Sequence, residues 1–198
     1  MKTLLTFFVL LFSSSVVADD VSDFEIEGFS IGDSLLEHFS EKEIKLMLKT
    51  KTVYPNSDKF IKIDTFELEG SILNDYEEYA FHIKKNDSKY ILFGLDGGKY
   101  FGKNNIKKCI EFKDKIVKDL TSTFKNFKPS SYDYIYEDVD DGKSIAYITD
   151  FELENGALRV WCVDWSEVTE KKRNFEDNVT VAISSRELLD WLNSEAYN

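Results

Sequence analysis

FELENGALRVWCVDW, residues 151–165, places Asn-Gly between two runs of strand-forming side chains. Asn155-Gly156 is a dipeptide that tolerates the left-handed backbone of a two-residue turn, so the spacing predicts a tight hairpin and antiparallel pairing. Along the second arm successive side chains point to opposite faces. Val160 and Cys162 therefore face one way and Trp161, Val163 and Trp165 the other. A sheet built from such hairpins has two faces to cover, and the indoles lie on the face away from the cysteine.

The neighbouring segments follow the same pattern. Residues 178–183 read as a further strand, and Ser184-Ser-Arg-Glu187 spells an S-x-x-E capping box that opens a short helix through Leu192. Upstream, residues 132–138 and 144–152 flank the turn Asp140-Asp141-Gly142. Residues 104–126 predict a long amphipathic helix ended by Pro129, with Ile106, Cys109, Ile110, Ile116, Val117, Leu120 and Phe124 on one stripe. Before it come β-branched and aromatic runs at 60–68, 76–84 and 90–95. The last two are joined by a turn at Lys85-Asn86-Asp87-Ser88 and followed by a glycine-rich connection at 94–98. Residues 34–50 read as helix in two pieces, each opened by a capping box, Ser34 with Glu37 and Ser40 with Glu43.

Short hairpins and grouped strands predict an α+β fold, not the alternation of a parallel sheet. The expected layout is one or more antiparallel sheets of about seven strands, a two-piece N-terminal helix, a long central helix packed on the sheet and a short C-terminal helix. Helix followed by strand meander occurs twice, so two halves, 19–100 and 101–198, are the alternative to a single domain over 19–198.

Met1 to Ala18 carries one charge at Lys2, an apolar run from Leu4 to Phe12 and small residues up to Ala18, the pattern of a secretory signal peptide cleaved after Ala18. The run is too short to span a bilayer. The expectation is an exported chain, periplasmic or secreted, without membrane insertion after cleavage. In an oxidising compartment two cysteines are more often bridged than free, so a Cys109–Cys162 disulfide is expected. With 37 acidic against 25 basic side chains the net charge is −12, and no basic cluster offers a face to phosphates, so nucleic acid is not an expected partner.

Four motifs invite chemistry. Gly32-Asp33-Ser34-Leu35 has the four letters of the GDSL esterases and resembles that family in little else. The resemblance would make Ser34 the nucleophile, yet serine needs a base. The only histidines, His38 and His82, lie in the N-terminal half. The family's Gly-x-Asn-Asp block is missing too; the nearest string, Gly70 to Asp75, has the wrong spacing. A capping serine is the preferred reading and a serine hydrolase the alternative. Residues 97–104, GGKYFGKN, come one letter from a phosphate-binding loop, but Asn104 stands where a magnesium-binding hydroxyl belongs. A flexible loop with Asn104 or Asn105 capping the helix is expected. The run from Asp138 to Gly142 fails the register of a calcium loop, with glycine at position 5; a hairpin tip with solvated carboxylates is the preferred reading and weak cation binding the alternative. Asn86-Asp-Ser88 and Asn178-Val-Thr180 fit a glycosylation sequon, which matters only in a eukaryotic source.

The tryptophans are the remaining candidates. Trp161, Val163 and Trp165 either form a second core layer under the last helix with Trp191, or stand open as an aromatic binding surface. Taken together, IEGFSIGDSLLEHFSEKEI, KKCIEFKDKIVKDL, GKS, RVWCVDWS and DNVTVAISSRELLDWL resemble a group of small exported proteins of marine bacteria. That resemblance implies a periplasmic setting and carries no catalytic residue. The functional expectation is a periplasmic or secreted binding or interaction protein, without cofactor, acting on a protein or small-molecule partner.

Overall fold

Hairpin pairing sets the architecture of the computed structural model, which describes residues 20–66, 68, 75–123 and 128–197. The signal segment 1–18, Phe124 and the greater part of the Gly70–Asp75 string lie outside the described residues. After a 3-10 turn at Val21–Asp23, strands β1 (Glu25–Ile26) and β2 (Phe29–Ser30) make a small ribbon. A second 3-10 turn, Leu35–Glu37, leads to helix α1 (Glu41–Met47). The main sheet takes β3 (Thr52–Val53), β4 (Phe60–Asp64), β5 (Glu78–Lys84) and β6 (Leu92–Tyr100), then helix α2 (Ile106–Thr123), β7 (Ser130–Ile135), β8 (Ile145–Leu153) and β9 (Gly156–Asp164). Helix α3 (Glu167–Arg173), strand β10 (Asn178–Ser185), helix α4 (Arg186–Trp191) and a π turn, Leu192–Ala196, complete it.

The eight strands run in the order β3-β4-β5-β6-β10-β9-β8-β7, every pair antiparallel. Each helix-plus-meander half supplies four strands, and β6 pairs with β10 at the middle to fuse them into one sheet. The fold is α+β as expected, with eight strands in the main sheet and two in a ribbon where about seven were expected. The additions are two-residue pairings too short to leave a period in the sequence.

On one face lies the main core. Ile61, Ile63, Phe81, Val160, Val179 and Val181 from the sheet meet Phe29, Leu35, Phe39, Ile44 and Met47 from the N-terminal segment, with α2 beside them. The other face carries two smaller clusters, one around Phe60, Leu188 and Trp191, the other around Ala146, Ile148 and Val163.

Several boundaries differ from expectation for identifiable reasons. Residues 94–98 are not a connection but the centre of β6. A β-carbon at Gly94 would stand 2.4 Å from Leu188 Cδ2, and one at Gly97 would stand 3.2 Å from the Tyr76 ring, so these glycines clear space for side chains crossing the strand. The hairpin turn falls on Glu154-Asn155, with Gly156 already paired to Leu153. Gly156 is needed for a close approach instead: its β-carbon would meet the Ser184 carbonyl oxygen at 2.2 Å. The third cap is Ser185 rather than Ser184, accepting the Leu188 N–H, while Glu187 pairs with Lys59 and Lys84. Helix α3 was not expected; Ser166 starts it by accepting the Thr169 N–H at 3.2 Å.

Candidate functional site

Cys109 on α2 and Cys162 on β9 form a disulfide, S–S 1.97 Å, buried in the main core. The bridge fixes which face α2 covers and leaves Trp161 on the other. There the four predicted surface residues divide. Val163 is buried against Ala146 and Ile148. Trp191 is buried at the far end of the face, its Nε1–H donating to Ser57 Oγ at 2.8 Å and its ring packed on Tyr54 and Phe60. It does not cover the other two indoles. Trp165 is half-buried, stacks on Tyr136 at 5.4 Å and meets Phe175 at 4.8 Å.

Trp161 is also half-buried, and among the described residues no ring stacks on it. Its cross-strand neighbours are Thr180 on β10 and Ile148 on β8. Two positions along β9 on the same face, Arg159 grips Asp150 of β8 through Nε at 2.6 Å and Nη2 at 2.9 Å. The Tyr132 hydroxyl donates to Asp150 at 3.1 Å and accepts from Arg159 Nη2 at 3.1 Å. A two-pronged guanidinium–carboxylate pair with a third partner has a fixed orientation, so these groups stand ready on the surface. Burial raises the Tyr132 phenol above its ordinary range, and the Asp150 carboxylate holds Arg159 in its charged form.

Next to this network lies the edge of the sheet. β7 pairs with β8 on its inner side, and among the described residues no strand pairs along its outer side. All six of its residues are exposed, including Tyr132, Tyr134 and Ile135. Tyr134 continues an aromatic line through Tyr136 to Trp165 and Phe175. The opposite edge, β3, is two residues long.

The other motifs are spent on structure. Ser34 Oγ–H donates to the Lys89 carbonyl at 2.6 Å and accepts the Leu36 N–H at 3.2 Å. Neither imidazole bonds to it: His38 packs on Phe29 at 4.3 Å, while His82 sits between the Tyr54 hydroxyl at 3.0 Å and Asp96 at 3.4 Å. Burial raises the Tyr54 phenol above its ordinary range. The backbone amides that a phosphate loop would present are taken by carboxylates, the Asn104 N–H by Glu170 at 2.9 Å and the Asn105 N–H by Asp177 at 2.7 Å. The segment is thus pinned, contrary to the flexible loop expected. Asn105 contributes its carbonyl to the Lys108 and Cys109 N–H groups, while its side chain turns to Lys103. In the 138–142 turn, Lys172 and Arg173 hold the Asp140 carboxyl down at about 2, and Asp141 accepts the Ser166 hydroxyl at 2.6 Å.

No family model, curated protein or solved structure matches this chain. Sequence reasoning missed Arg159, Asp150 and Tyr132. Arg159 was within reach, since it shares the parity of Trp161 on one strand; its two partners required the register of β7 on β8.

Proposed function

We propose that the protein is an exported interaction module that takes an extended segment of a partner protein against strand β7. The observation that carries this reading is the bare edge. Sheet proteins blunt exposed edges with lysine, proline, bulges or very short strands, because unpaired N–H and C=O groups invite another chain. Ser130–Ile135 contains neither lysine nor proline, pairs with β8 in unbroken register and exposes three large side chains. A segment laid along it would gain main-chain hydrogen bonds. Tyr132, Tyr134, Arg159 and Trp161 supply the residue types that carry most energy at protein interfaces.

Charge narrows the partner. At −12 the chain attracts basic segments and repels copies of itself, which favours a lysine- or arginine-bearing strand over self-pairing. The leader pattern of residues 1–18 and the Cys109–Cys162 bridge support a periplasmic or extracellular encounter.

Photo-crosslinking tests the reading. With benzoylphenylalanine replacing Tyr134 in the full chain expressed in its own cells, the expected result is one predominant adduct to another protein, lost in Asp133→Lys. Adducts between two copies of the chain, or a heteroadduct indifferent to Asp133→Lys, would overturn it.

A further inference from the structure

Strand β7 offers its main chain in alternation. Tyr136, the residue that follows it, donates its N–H to the Ser144 carbonyl at 3.0 Å, and the register runs back unbroken from Ile135 opposite Ile145 to Ser130 opposite Asp150. In an antiparallel strand residues of one parity turn both main-chain groups to the same neighbour. Tyr132 and Tyr134 therefore spend theirs on β8, and Ser131, Asp133 and Ile135 present theirs to the open side. The Ile135 carbonyl already accepts the Glu137 N–H at 3.0 Å, so the ladder on offer closes there. Asp133 stands at its centre.

The two faces of the edge differ in charge. Ser131 and Asp133 turn their side chains toward α2, where they line a groove with Ile110 and Lys113. Lys113 has Asp114 in ion-pair range at 3.9 Å, whereas among the described residues no cation stands in ion-pair range of the exposed Asp133. Tyr132 and Tyr134 turn to the other face, 42 % and 53 % exposed, with the apolar cluster of Ala146, Ile148 and Val163 behind them. On that face the Asp150 carboxylate is already engaged by Arg159. A second cation arriving there would meet the guanidinium.

We infer that the partner segment is an amphipathic strand read by parity: a lysine or arginine opposite Asp133 on the α2 face, and apolar side chains immediately before and after it, over Tyr134 and Tyr132. This rests on strand addition at β7 and fixes its register. Cross-strand pairs of opposite charge, and of aromatic with β-branched side chains, favour that arrangement, while like charges oppose its inverse.

Chemical-shift titration of the full, disulfide-bonded chain with end-blocked peptides tests it. Ser-Ile-Lys-Ile-Ser and Ile-Ser-Lys-Ser-Ile have one composition and opposite parity, so no slip or reversal of the strand turns one into the other. The first should shift the amides of Ser131, Asp133 and Ile135 and bind about tenfold tighter than the second. In Asp133→Lys the preference should pass from Ser-Ile-Lys-Ile-Ser to Ser-Ile-Glu-Ile-Ser. Affinities of the two parities within about twofold of each other would overturn the inference. So would a lysine preference that survives Asp133→Lys, or absence of binding by both peptides at millimolar concentration. If these discriminations are absent while crosslinking at Tyr134 still captures another protein, the parity reading falls and strand addition stands; if the heteroadduct is absent too, both fall. The parity comparison uses the unaltered chain and decides should Asp133→Lys fail to fold.

Discussion

Ser34 ties two main-chain groups, the Lys89 carbonyl and the Leu36 N–H, and so joins the N-terminal segment to the β5–β6 connection. Removing it in Ser34→Ala should cost about 1 kcal/mol in urea denaturation, the usual worth of a cap. Hydrolysis of p-nitrophenyl acetate should stay at the level of the unaltered chain. Asp140 makes a pH-dependent contribution whose sign follows from its partners. Lys172 and Arg173 hold its folded carboxyl at about 2, below the ordinary 3.8, so on acidification the unfolded chain takes up the proton first. The stabilisation is complete above the ordinary value and is lost as pH falls through the folded one. Asp164 and Asp177, pushed up by burial, act with the opposite sign: they favour the folded state when protonated and lose that contribution as pH rises through their folded values. Comparing urea midpoints of Asp140→Asn and the unaltered chain between about pH 4 and pH 2 isolates the pair, and the variant should show the shallower acid decline.

The elements were legible wherever a period ran long enough. Strands β8, β9 and β10, the helix α2 and the paired faces of Cys162 and Trp161 follow from alternation and from the 3.6-residue stripe. Glycine misled in two of the three places where it was read as a connector; Gly142, at φ +67°, does close the turn expected there. In β6 and at Gly156 it answers a neighbour crossing the strand, which a single sequence does not display. Gly94→Ala accordingly drives a methyl group toward Leu188, and overpacking of that kind should cost about 1–3 kcal/mol in urea denaturation. Helix α3 escaped because polar contacts hold it, with Glu170 bound to Asn104 and Ser166 to Asp141, and it has no apolar stripe to read. The same limit hid the Arg159–Asp150–Tyr132 network: its members are far apart in sequence and meet only through strand register. Trp191 was assigned to the correct face and the wrong cluster, since nothing in its local pattern tells which end of the sheet α4 covers.

At the scale of the molecule, one disulfide and one bare edge bear most on function. The Cys109–Cys162 bridge spans 53 positions and ties the central helix to β9. Replacing both cysteines by alanine should lower stability by about 4 kcal/mol on the chain-entropy estimate, measured by urea unfolding against the oxidised chain. The sheet buries one edge of each half at the β6–β10 junction and keeps the other outer edge to two residues, so β7 is the long edge left for pairing among the described residues. The net charge of −12, the aromatic line and the oriented guanidinium beside that edge are the features on which the proposed pairing with a basic extended segment rests. The decisive measurement is amide hydrogen exchange over residues 130–135, with and without the protein captured by crosslinking at Tyr134. Pairing at the edge should slow alternate amides of β7, those facing outward, while the amides already bonded to β8 stay as they were. Unchanged exchange in β7 with protection appearing elsewhere would contradict it.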